Sequence, residues 1–117
     1  MNFSVPPFRR IASNRLWTPG GLVRNPLVTL DAAGRIRSVE VCPDPDRLSA
    51  TEFYAGMIVP DFPADYRAAF ERLRREPDVL PEVLSRLLPA PDGVAVVISG
   101  LDYATLRLLP QAQIRKL

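Results

Sequence analysis

"EFYAGMIVPDFPADYRAAFERL", Glu52 to Leu73, changes its hydrophobic period halfway along, and that change sets how the rest of the chain is read. Phe53 to Val59 reads as a strand. Gly56 lies inside it, where glycine marks a bulge or a close approach of another backbone. Pro60 is expected to end the strand, because it has no N–H for a ladder. From Ala64 onward the apolar residues Tyr66, Ala69, Phe70 and Leu73 recur at i, i+3, i+4, i+7, one face of a helix. Asp65 lies near the start of that helix, where a carboxylate suits the free amides.

Outward from this switch, prolines punctuate the chain. Pro77 stops the first helix. Asp78 and Pro81 open a second, with Leu80, Val83, Leu84, Leu87 and Leu88 on its apolar face, and Pro89 closes it. The two helices are expected over 64–76 and 79–88. Toward the amino terminus, Arg9 to Thr18 is a strand, Pro19-Gly20-Gly21 a turn, and Leu22 to Leu30 a second extended segment broken by Pro26. "VTLDAAGRIRSVEV" is the clearest hairpin: Asp31 can bond its own turn and Gly34 accepts the positive φ needed to leave it. Val28 and Leu30 share a face, as do Val39 and Val41. Ile36 is out of step unless a bulge falls between Gly34 and Arg37. "CPDPDRLSAT" is a loop. After the helices, Gly93 to Ser99 is a β-branched run suited to a central strand, and Leu106, Leu108 and Ile114 mark a last extended segment.

Strands, then two helices, then strands again indicate an α+β, mainly β class. One domain is expected over 1–117, with amino-terminal strands in 8–60, a helical insert in 61–92 and returning strands in 93–117. Its 117 residues, 47% of them apolar, are enough for a core without staples. Cys42, alone, forms no internal disulfide and is expected to fill space near a strand end. The amino terminus has no uninterrupted apolar stretch of the signal-peptide kind, and no run approaches the ~20 apolar residues of a membrane span, so the cytoplasm is the expected location and no membrane partner is expected.

The net charge of +2 is too balanced to imply nucleic acid. Fourteen of the fifteen basic residues are arginine, and the densest run is Arg67, Arg72, Arg74 and Arg75. Glu71 and Glu76 lie among them, so a solvated helix face is favoured over a phosphate-binding patch. The carboxylate pairs Asp44/Asp46 and Glu71/Glu76 read as surface residues. With no histidine anywhere, no serine has an ordinary Ser-His base. Trp17 could anchor a partner, but a tryptophan at a strand end more often packs into its own core.

"RIASNRLWTPGGLVRNPLVTLDAAGRIRSVEV" followed by "FYAGMIVPDF" resembles the start of an amidohydrolase-superfamily enzyme of the cytosine-deaminase-like or chlorohydrolase-like kind. Such enzymes begin with strands of a small β-sandwich. A G-x-(I/L)-V-P-G-F segment then leads into a TIM barrel, a His-x-His pair follows and holds the metal, and closing strands return to the sandwich. "GVAVVISGLDYATLRLLPQAQIRKL" is similar to those closing strands. Gly56, Ile58, Val59, Pro60 and Phe62 match the run-in, and Asp61 stands where the family has glycine. The two histidine positions fall on Tyr66 and Ala68. A barrel takes roughly 200 residues, and only Asp61 to Asp92 lie between the two sandwich halves.

The resemblance therefore implies a composite β-sandwich-like domain with two short helices in place of the barrel, non-catalytic and without metal or other cofactor. Such a chain would act by protein association, through a homodimer or an amidohydrolase-type partner, with Trp17, Phe70, Leu73, Leu84 and Leu87 as the candidate interaction surface. The alternative is an accessory or regulatory subunit of a separately encoded metal-dependent amidohydrolase. A weaker one is nucleic-acid binding through the Arg67–Arg75 cluster.

Overall fold

A computed structural model describes residues 9–41 and 51–117. Cys42, the Asp44/Asp46 pair and most of the "CPDPDRLSAT" loop lie outside the described residues. In chain order the elements are β1 (Arg9–Thr18), β2 (Gly21–Arg24), β3 (Pro26–Leu30), β4 (Ile36–Val41), β5 (Thr51–Phe62), α1 (Tyr66–Leu73), α2 (Leu80–Leu87), β6 (Val94–Asp102) and β7 (Arg107–Lys116). The class is α+β, mainly β. Among the described residues the seven strands join one sheet in the order β4-β3-β1-β5-β6-β7, with β2 beside β1. The layer that packs on one face is the helix pair, not a second sheet.

β1, β2 and β3 form one long hairpin. Thr18 pairs with Gly21 across Pro19-Gly20, and the register continues unchanged to Arg9 opposite Leu30. The hairpin is bent where Asn14 faces Asn25. Asn25 sits at φ 50 and its N–H donates to the Asn14 carbonyl at 3.1 Å. Side-chain alternation resets at this point. Ile11 and Leu16, five residues apart, enter the same apolar cluster, as do Val28 and Val23 across from them. Trp17 and Leu22 go to the other face, against the helices.

The Asp31 turn forms as its residues demand. Asp31 Oδ1 accepts from the N–H groups of Ala33 (2.9 Å) and Arg35 (3.0 Å), and Gly34 takes φ 79. Those amides, Arg35 first, hold the Asp31 carboxyl below the usual carboxylate range. The returning strand slips by one residue: Leu30 pairs with Ile36 and Thr29 with Ser38, so the bulge falls at Arg37 and brings Ile36 onto the Leu30 cluster.

β5 is the structural axis. It runs parallel to β1 on one side and antiparallel to β6 on the other. Pro60 does not end it. The strand continues to Phe62, which pairs with Val94 and is fully buried. The missing Pro60 N–H and the φ of 56 at Asp61 are absorbed in a bulge between Val59 and Phe62. Position 61 thus asks for a conformation that suits glycine better than a residue with a Cβ. Asp61→Gly should be about 1 kcal/mol more stable than Asp61→Ala in urea unfolding, since alanine keeps the Cβ and lacks the local bonding by which Asp tolerates this region.

The helices are shorter than their periodicity implies. Asp65 is the N-cap of α1, yet its side chain makes no cap bond. At the other end, Arg75 N–H donates to Arg72 O and Glu76 N–H to Leu73 O, closing a tight last turn. α2 begins after Val79, with Pro81 in its first turn. It ends at Leu88, whose extended backbone (ψ 154) is what a residue before proline prefers. Phe70, Leu73, Leu80, Val83 and Leu84 point inward onto Met57, Val59, Phe62, Val96 and Ile98 of the sheet. Among the described residues no helix is long and apolar enough to cross a membrane.

Candidate functional site

The positions where the resemblance would put the two histidines, Tyr66 and Ala68, both fall in the first turn of α1. Residues two apart share a face in a strand, but on a helix they are separated by about 200°. Tyr66 is half-buried against the helix-side core, with the Arg67 guanidinium 5.8 Å from its ring centre, whereas Ala68 is exposed. The two positions diverge. Two imidazoles placed there would not converge on one ion.

Of the candidate interaction residues, Trp17, Phe70, Leu73 and Leu84 are all buried in the chain's own core. Leu87 is half-buried and lines a groove of about 230 Å³ between the helices, with Ala69, Leu73 and Val83 as its apolar walls and Arg72, Glu76 and Arg86 at its rim. Arg86 reaches Asp78 at 3.1 Å and Glu76 at 3.8 Å.

The arginine run on α1 does not make one patch. Arg72 faces that groove. Arg67 and Arg74 line a different recess of about 390 Å³, against Ala112, Gln113 and Ile114 of β7. Arg74 is engaged on every side. It stacks 4.9 Å from the centre of the Phe70 ring, lies 3.6 Å from Glu71, and donates to the carbonyls of Pro110 (3.1 Å) and Ala112.

A polar cluster that sequence reasoning missed joins β1 to β5. Arg9 grips Glu52 with two bonds (2.7 and 2.8 Å), and the Tyr54 hydroxyl donates to Glu52 Oε1 at 3.0 Å. Arg115 stands 5.1 Å from the centre of the Tyr54 ring. The Arg9 bond, then that of Tyr54, holds the Glu52 carboxyl below its usual range, and Glu52 in turn raises Arg9. No local signal pairs residues 43 positions apart. Only the parallel register of β1 on β5, with Ile11 opposite Glu52, joins them. The Arg9–Glu52 pair with Tyr54 is a clamp between two strands. A cleft of about 390 Å³ elsewhere brings Asp61 and Asp92 near Arg35 at the mouth of the Asp31 turn, with Gly93 and Pro60 in its walls.

The remaining feature is β4. It is a terminal strand of the sheet, and its outer edge carries no strand among the described residues. Val39 and Val41 are 43% and 62% exposed, although Val28, directly opposite Val39, is fully buried. The pairing of Val39 with Val41 on one face is legible in the sequence; that this face lies open is not. Phe53, at the start of β5, is also 63% exposed. No family model, no curated protein and no solved structure matches the chain.

Proposed function

We propose that this chain is a non-catalytic β-domain, of the kind that accompanies the barrel in amidohydrolases, and that it works by protein association through the β4 edge. The observation that carries the reading is β4 itself: a terminal strand with no further strand beside it among the described residues, and with two exposed valines on one face. Such an edge is a template for another strand. Two further features support it. The strands after the helices rejoin the first half of the sheet through β5, as the resemblance implies. The degenerate positions Tyr66 and Ala68 point apart. A single cysteine asks for no oxidising compartment, so the cytoplasm is the setting that goes with this proposal.

The partner we assign is a second copy, paired antiparallel along β4 with the exposed Val39 and Val41 at the contact. Sedimentation of the intact chain should show concentration-dependent dimerisation. Val41→Asp should weaken it by at least about tenfold, equivalent to about 1.4 kcal/mol, while leaving the unfolding midpoint nearly unchanged because the side chain is already exposed. A parent chain that stays monomeric up to its solubility limit, or a Val41→Asp dimer of undiminished strength, would overturn the proposal.

A further inference from the structure

Asp92–Gly93 is the one place in the chain where an aspartate or asparagine precedes glycine. Every other aspartate is followed by a residue with a side chain. Glycine has no Cβ to crowd the approach of an aspartyl carboxyl to the next main-chain nitrogen. The fold leaves both reacting groups open. Pro91 and Asp92 form an exposed turn between α2 and β6. Among the described residues the Asp92 carboxyl has no hydrogen bond or ion pair, and the Gly93 N–H donates to nothing. Other aspartates are held. Asp31 accepts from the Ala33 and Arg35 amides, Asp102 from those of Ala104 and Thr105, and Asp78 from Arg86. Asp61 and Asp65 have no such partner, but Phe62 and Tyr66 follow them.

We propose that Asp92–Gly93 is a site of spontaneous isomerisation in the folded chain, and that its product loosens the corner between β5 and β6. The Gly93 nitrogen attacks the Asp92 carboxyl carbon. The new N–Cγ bond closes a five-membered succinimide, and the carboxyl hydroxyl leaves with the amide proton as water. A second water opens the ring. Opening at Cγ restores aspartate. Opening at the former main-chain carbonyl gives isoaspartate, whose chain runs on through Cγ. One water leaves and one returns, so the mass is unchanged and no co-reactant is needed. The product has one more carbon in its main chain immediately before Gly93. That place has no slack: a Cβ built on Gly93 would lie 2.5 Å from the Asp61 carbonyl carbon and 2.6 Å from its Cα. On the near side of the turn, the Ala90 N–H donates to the Asp61 carbonyl at 2.9 Å. The extra atom must push Gly93 off the Asp61 bulge or break that bond. This inference is independent of the β4 reading, because it concerns a covalent change at another corner of the sheet.

The test is to age the intact, folded chain at physiological temperature and near-neutral pH. Isoaspartate is counted by labelling with an isoaspartyl O-methyltransferase and located by peptide mapping. It should accumulate at residue 92 at least about tenfold faster than at any other described aspartate. Asp92→Glu should abolish the signal, because a glutamyl side chain would have to close a larger ring. The isomerised chain, separated from the unaged form by ion exchange, should unfold at a lower urea concentration. Isoaspartate at residue 92 only after the chain has been unfolded in urea would show that the fold protects the pair, and would overturn the proposal. So would an equal rate at Asp61 or Asp65, or a signal that persists in Asp92→Glu. An isomerised chain with the unaged unfolding midpoint would overturn the loosening of the β5–β6 corner.

Discussion

Gly56→Ala should destabilise the chain by about 4 kcal/mol, enough to leave a domain of ordinary stability close to its unfolding threshold. Gly56 has φ 137, and a Cβ built on it would lie 2.3 Å from the Ile98 carbonyl oxygen and 2.9 Å from the carbonyl carbon. Both atoms belong to the backbone of β6, so no side-chain rotation can make room. β6 would have to move away from β5, and Met57 opposite Ile98 would move with it. The position is also where the parallel ladder slips. Ser13 pairs with Tyr54 and Arg15 with Met57, so Ala55 and Gly56 together face Asn14. The Gly56 N–H donates to Asn14 Oδ1 at 2.9 Å, tying this bulge to the bend of the long hairpin.

Gly34→Ala is the comparison. Gly34 has φ 79 but open space around its missing Cβ. It should lose only about 1 kcal/mol, the cost of a left-handed conformation for a residue with a side chain. Urea unfolding of the two variants separates a backbone clash from a φ preference. Equal losses would mean that β6 gives way easily and that Gly56 does not fix the β5–β6 approach.

The same junction explains where the sequence was legible and where it was not. Phe53 to Val59 announces a strand, and an internal glycine announces a close approach, because both signals are local. The Arg9–Thr18 strand, the Asp31 turn and the slip at Arg37 are local too, and the residues that make them lie within a few positions of one another. The reset at Asn14 is different. Ile11 and Leu16 reach one cluster although they are five positions apart, an odd offset that simple alternation would send to opposite faces. The cause lies in Asn25 and Gly56, distant in sequence and adjacent only after folding.

Pro60 misled for a related reason. Its missing donor is costly in a regular ladder but harmless in a bulge, and the bulge is set by the pairing of Val59 with Val96 and Phe62 with Val94. Exposure was the least legible quantity. Val39 carries the same apolar side chain as the buried Val28 opposite it, and their difference follows from strand order alone. The Arg9–Glu52–Tyr54 clamp escaped notice because its members meet only across a parallel pairing that spacing does not encode.

Leu84→Ala separates the two roles that its periodic position allows, and its expected effect is nearly as large. Leu84 lies on the apolar stripe of α2 with Leu80 and Val83, and an exposed stripe of that kind would serve a partner. In the folded chain Leu84 is fully buried in the cluster that includes Phe70, Leu73 and the sheet residues Val96 and Ile98. Truncation should therefore cost about 3 kcal/mol of unfolding free energy, the lost transfer of the side chain plus the cavity left behind. The denaturant slope should stay unchanged, because the folded state keeps its compactness.

Self-association measured where the variant is still folded should match that of the parent chain, since no atom of Leu84 reaches water. Val41→Asp is expected to show the reverse pattern, weaker association at nearly constant stability. The two variants together test whether the helix pair covers the sheet for this chain's own benefit, leaving contact with others to its edge. A Leu84→Ala chain that loses association while retaining full stability would return α2 to the interface and remove β4 from it.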